Sequence, residues 1–111
     1  MRDADELAAG IAALAAEYRE KLAARLDALD ALAAQLASGR AADARLKDLH
    51  RELHMIAGSA KTFGLPAVSA AARAGEHYLE PFCETDAAPS AAQWETLIAL
   101  LAALRESAAS A

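Results

Sequence analysis

From Leu7 to Leu36 an apolar side chain returns every three or four residues: Leu7, Ile11, Leu14, Tyr18, Leu22, Leu26, Leu29, Leu32 or Ala33, and Leu36. A half-buried strand needs a period of two, so a run of this spacing is an α-helix with a single buried stripe. The same spacing recurs at Leu46, Leu49, Leu53, Ile56, Ala60 and Phe63, then at Leu65, Val68, Ala71 or Ala72, Gly75 and Leu79, and again at Trp94, Leu97, Ile98, Leu101 and Leu104. Neither strand alternation nor a hairpin signal occurs anywhere. The hydrophobic fraction is 56% while aromatics are only 5%, so much of the apolar content is alanine, the strongest helix former. An all-α chain follows.

Local signals set the boundaries. Asp3 with Glu6 resembles a capping box, and Ser38-Gly39 places glycine at the usual helix stop, predicting a first helix to Ala37. The second is expected from about Ala42 to Thr62. Phe63-Gly64-Leu65-Pro66 then ends one helix and starts another, because glycine takes the left-handed conformation and proline suits the first helical position. The third helix is expected to stop at Glu80, where Pro81 disrupts it, with Glu84 to Pro89 as a loop. Small residues along its stripe imply close helix approach. Ser90 and Gln93 form a second capping box that opens a last helix, expected to fray from Ser107. Trp94 is assigned to the core.

Short connections between amphipathic helices favour an up-down-up-down four-helix bundle. The first helix would be about 50 Å long against about 30 Å for the others. Its N-terminal part, residues 3–16, is therefore an extension of a bundle spanning 17–109. That extension must bend, with Gly10 as the weakest point, overhang as a straight helix, or pair its stripe with a second copy; a monomer is the simpler expectation.

A chain of 111 residues holds one domain, residues 1–111. The formal net charge of −5 argues against nucleic acid or an anionic membrane as a main partner, since both require a basic footprint. The single cysteine, Cys83, has no internal partner for a disulfide, which fits a reducing compartment. Met1 to Glu6 is too acidic for a targeting peptide, and the apolar run from Leu97 to Leu104 is far short of the ~20 residues that span a bilayer. A cytoplasmic location is expected.

On the second helix, at roughly 100° per residue, His54 points well over 90° from the apolar stripe, on the side of Lys47, Arg51, Gly58 and Lys61. A glycine inside a helix costs about 1 kcal/mol relative to alanine. At Gly58 the compensation is access: the imidazole of His54 is uncovered and a partner can approach. A neutral imidazole is nucleophilic near pH 7 and can take up and hand on a phosphoryl group, whose charge the cationic neighbours would offset. Those cations fit an ordinary solvated face equally well. His50, one turn before His54, could share a zinc ion with it, but no Cys, Glu or third His at ligand spacing completes a set, so no metal site is expected. His77 and Tyr78 are read as a rim histidine and a core-edge tyrosine.

The stretch His54-Met55-Ile56-Ala57-Gly58-Ser59-Ala60-Lys61-Thr62-Phe63-Gly64 resembles the motif of the histidine-containing phosphotransfer (HPt) domains of bacterial phosphorelays, roughly His-x-x-Lys-Gly-Ser-x-x-x-x-Gly. The resemblance runs from about Tyr18 to Leu104, with its specificity in that stretch. It implies a phosphohistidine carrier rather than a stand-alone catalyst, with His54 accepting a phosphoryl group from the aspartate of one receiver domain and passing it to another. Response-regulator receiver domains, and a hybrid histidine kinase, are the implied partners. Mg2+ and the catalytic machinery would belong to the receiver, with no cofactor of the chain's own. No carboxylate cluster is expected around His54, since a water-activating base there would promote hydrolysis, and Glu52 points to the other flank. Ala57 departs from the pattern where the family has lysine, and Lys61 is the candidate replacement; Lys61, Gly58, Arg51, Lys47, Ser59 and Ala57 form the expected surroundings of the phosphate. The alternatives are a bundle that docks receivers or a kinase without carrying phosphate, and a metal-binding bundle using His50, His54 and His77.

Overall fold

The computed structural model describes residues 2–38, 44–85 and 88–111. Four helices follow one another: α1 (Arg2–Ala37), α2 (Ala44–Thr62), α3 (Pro66–Thr85) and α4 (Ala91–Ser110). Each packs on its neighbours in sequence, and α4 closes back on α1, giving an up-down-up-down bundle with no strand among the described residues. The expected stop at Gly39 and the start at Ala42 lie outside the described residues.

The stripes become the core. Tyr18, Leu22, Leu26, Leu29, Ala33 and Leu36 of α1 meet Leu46, Leu49, Leu53, Ile56 and Ala60 of α2, Val68, Ala72 and Leu79 of α3, and Leu97, Leu101 and Leu104 of α4. The α1 stripe is only partly used. Leu7, Ile11 and Leu14 are 66%, 59% and 55% exposed, because the helix runs unbroken through Gly10 and overhangs the other three. Its 36 residues account for most of the 57 Å long axis of the molecule. The helix begins at Arg2, so Asp3 lies within the first turn, where its charge favours the helix N-terminus, rather than capping it.

The turn that ends α2 is a Schellman motif. Leu65 N–H donates to Ala60 C=O at 2.8 Å and Gly64 N–H to Lys61 C=O at 3.2 Å, with Gly64 at φ +74° and Leu65 and Ala60 both buried. A Cβ at Gly64 would strike nothing, so Gly64→Ala isolates the cost of the left-handed backbone. We expect a loss of about 1–2 kcal/mol, seen as a melting temperature lower by roughly 4–8 °C per kcal/mol for a domain of this size. Pro66 then opens α3 at its first residue.

Four expectations are corrected. Pro81 does not end α3, which continues to Thr85. The lost N–H is tolerated because the next turn is anchored: Phe82 packs on Tyr78 with ring centroids 5.8 Å apart, and Cys83 Sγ lies 3.8 Å from Leu46 C=O on α2. Glu84 and Thr85 are thus helical; Asp86 and Ala87 of the expected loop lie outside the described residues. Ile98 is 52% exposed rather than core, standing at the alanine-lined seam of Ala33, Ala34 and Ala102, and Trp94 is only half-buried. Finally, α4 does not fray at Ser107 but runs to Ser110, with Ala108 packed against the core.

The Ser90 capping box forms as expected, Ser90 Oγ accepting from Gln93 N–H and Gln93 Oε1 from Ser90 N–H. Arg105 of α4 reaches Asp30 through Nε at 3.0 Å and Nη2 at 2.8 Å, and Asp27 through Nη2 at 2.8 Å. Hydrogen bonds to Asp27 and Asp30 raise the guanidinium pKa above its ordinary value, so this tie between α1 and α4 stays charged.

Candidate functional site

His54 stands on the outer face of α2 with its side chain 65% exposed, as its position off the apolar stripe requires. Its ring is not free to turn. Nδ1 lies 3.0 Å and 3.1 Å from the two carboxylate oxygens of Glu76 on α3, a residue only 5% exposed. An ionised carboxylate can only accept, so Nδ1 carries the proton and Nε2 keeps its lone pair on the exposed edge of the ring. The carboxylate sets the tautomer and the orientation together.

Close packing of α2 and α3 makes that contact possible. A Cβ at Gly75 would lie 3.2 Å from Leu53 Cδ1, so the small side chain lets α3 approach α2 at the turn that carries Glu76. Ser69 Oγ also donates to Ala57 C=O at 2.6 Å, pinning the register of the two helices. A buried charge is costly unless paired, and His54 supplies the pairing for Glu76.

The expectation of no carboxylate beside His54 is therefore overturned. The feared side reaction does not follow, because both Glu76 oxygens face Nδ1 rather than the exposed Nε2. A signal for Glu76 exists in the sequence: it sits four residues after Ala72 and three before Leu79, a charged residue on the buried stripe of α3.

The remaining expected residues separate. Gly58 is exposed and a Cβ there would meet nothing, so packing does not require a glycine at this position. Lys47, Arg51 and Lys61 are all exposed, but not on one flank. Arg51 turns toward α1, bonded to Asp48 at 2.9 Å beside Ala28, Leu32 and Glu52. Lys61 turns toward α3, sharing an open depression with Ser69 and Arg73, a cation that sequence reasoning missed.

Ser59 and Ala57 are structural. Ser59 Oγ donates to Met55 C=O at 2.9 Å and accepts from the Tyr18 hydroxyl at 2.8 Å, while Tyr18 stacks on Phe63 with centroids 4.6 Å apart. The motif's serine, together with Phe63, thus holds α1 against the end of α2. Ala57, expected among the docking residues, is instead fully buried under α3. A lysine there would have to run its stem out along α3 before its charge reached water.

His77 is exposed and takes no part in the metal set proposed for it with His50 and His54. His50 is instead brought together with Glu76 and Glu80, two carboxylates that the sequence spacing did not place beside it.

The sequence model of a family described as Hpt domain matches residues 4–107. No curated protein and no solved structure matches the chain. A helical bundle whose motif histidine projects into solvent, matched by that family over nearly its whole length, belongs to the Hpt domain family, which serves histidine phosphotransfer in two-component signalling.

Proposed function

We propose that the chain is a phosphorelay carrier that accepts a phosphoryl group on Nε2 of His54 from the aspartyl phosphate of one receiver domain and returns it to the aspartate of another. The observation that carries this reading is the His54–Glu76 pair: an exposed imidazole held at Nδ1 by a buried carboxylate, with its nucleophilic nitrogen outward. In the forward step the Nε2 lone pair attacks phosphorus, an N–P bond forms, the acyl phosphate P–O bond breaks, and the electron pair leaves with the receiver's carboxylate. Nδ1 keeps its proton throughout. The ring becomes cationic on phosphorylation, and the Glu76 carboxylate stabilises that charge where it develops.

Among the described residues no further group bonds to the His54 ring, which suits a carrier whose partner supplies the catalytic residues. Incubation with a radiolabelled phosphoreceiver, followed by mapping of acid-labile, base-stable label, should place phosphate on His54. Label on His50 or His77, or no label from any receiver, would overturn the proposal. A bundle that docks receivers or a kinase without carrying phosphate would acquire no acid-labile label in the same experiment.

Two variants probe the surroundings. Gly58→Glu should stabilise the helix by up to about 1 kcal/mol, the glycine penalty, yet slow transfer by obstructing the partner one turn from His54. Thermal melts and transfer rates read the two effects separately, and undiminished transfer would assign Gly58 another purpose. Lys61→Ala tests the missing lysine. Lys61 is two turns, or roughly 10 Å, along the axis from His54, so it acts as part of a field with Arg73 rather than by contact. We expect transfer to slow by less than about threefold and the effect to vanish as salt shortens the screening length to about 3 Å at 1 M. A tenfold loss insensitive to salt would show direct contact with the phosphate.

A further inference from the structure

We propose that His50, Glu76 and Glu80 form a binding site for a divalent transition-metal ion of the Zn2+ type, a site that shares the Glu76 carboxylate with His54. One donor atom from each of the three side chains lies within 4.8 Å of the other two. The set draws on both α2 and α3, with Glu76 and Glu80 one turn apart on the same face of α3.

The second observation is the state of His50. Its Nε2 atom is shut off from solvent yet has no hydrogen-bond partner among the described residues. Glu80 Oε1 is 3.9 Å away, too far for a hydrogen bond. With a proton on Nε2 the ring strands a buried donor; without one it leaves a buried lone pair beside the Glu80 carboxylate. A cation between the three groups resolves both cases, because neutral imidazole and two carboxylates are then all ligands.

The donor set selects the class of ion. One imidazole nitrogen with two carboxylate oxygens suits Zn2+ and its first-row neighbours, which accept such mixed sets with water completing the shell. Mg2+ favours an all-oxygen octahedron and gains little from the histidine.

A functional consequence rests on the carrier reading. Both oxygens of Glu76 now face His54 Nδ1. An ion that takes one of them draws the carboxylate's charge away from the ring, so metal binding should slow phosphoryl uptake without touching Nε2.

The test uses the full chain. Calorimetry with ZnCl2 should give one ion per chain, and Co2+ should give the visible absorption of a low-coordinate site. His50→Ala and Glu80→Gln should each weaken binding by no less than the roughly 10–100-fold that loss of an outer-shell partner costs. Glu80 is half-exposed, so its isosteric variant reports on binding even where His50→Ala disturbs packing, with circular dichroism as the check on both. No zinc uptake by the parent, or undiminished uptake by Glu80→Gln, would overturn the site. Zinc should slow labelling of the parent but not of Glu80→Gln; equal inhibition of both would overturn the coupling. Failure of the zinc-free parent to take label would instead sink the carrier reading and leave the calorimetry standing.

Discussion

His54→Gln should take no label from a phosphorylated receiver, while its melting temperature stays within a few degrees of the parent. The label is lost because an amide nitrogen has no lone pair to offer phosphorus. Stability survives because the glutamine side chain still presents an N–H donor to Glu76, whose carboxylate is almost wholly buried. His54→Ala should also lose the label but melt lower, since it leaves that carboxylate without the hydrogen bond that now satisfies it. An unsatisfied buried group costs about 1–3 kcal/mol, and more when charged. The comparison of the two variants by calorimetry therefore separates chemistry from support. Equal melting of both would mean that water satisfies Glu76 and that the pair contributes nothing to folding.

Glu76→Gln should lower the rate or equilibrium of phosphorylation by roughly 10–100-fold. That range converts the about 1.5–3 kcal/mol of a hydrogen bond to a charged group at about 1.4 kcal/mol per tenfold. The variant keeps the shape of the side chain and an oxygen to accept from Nδ1, but not the negative charge that meets the developing imidazolium. Folding should be unharmed or improved, because a buried neutral amide is cheaper to desolvate than a carboxylate. Weaker activity with undiminished stability is the signature of a positioning and charge-stabilising residue. Nitrogen NMR of His54 provides a readout that a purely structural residue would not move. The proton should sit on Nδ1 in the parent and distribute over both nitrogens in Glu76→Gln. An unchanged tautomer ratio together with parental transfer would remove Glu76 from the mechanism.

The bundle was legible in the sequence because helix periodicity is local. Leu49, Leu53, Ile56 and Ala60 share one face by the geometry of the helix alone, and all four are fully buried. His54 follows from the same geometry as an outward residue, and the Gly64 stop from the rarity of left-handed backbone. The errors lie where two local rules compete or where a neighbouring helix decides. Pro81 carries a strong breaking signal, yet beyond it Phe82 packs back on Tyr78 one turn earlier and Cys83 reaches Leu46 on α2. Ile98 fits the periodic stripe, but the seam of α1 and α4 is too rich in alanine to cover it.

What the sequence by itself determined about this chain is a set of amphipathic helices, their turn at Gly64 and one histidine outside the buried stripe. The tertiary structure alone decided what surrounds that histidine. Glu76 is 22 residues from His54 in the chain, and its contact depends on the rotation and register of α3 against α2. Close packing at Gly75 and the bond from Ser69 to the Ala57 carbonyl fix both. The same register turns His50 toward Glu76 and Glu80 and buries Ala57, where the motif alone suggested a missing surface charge. Periodicity specifies which face of a helix is covered, but it carries no record of which side chain of the covering helix stands opposite.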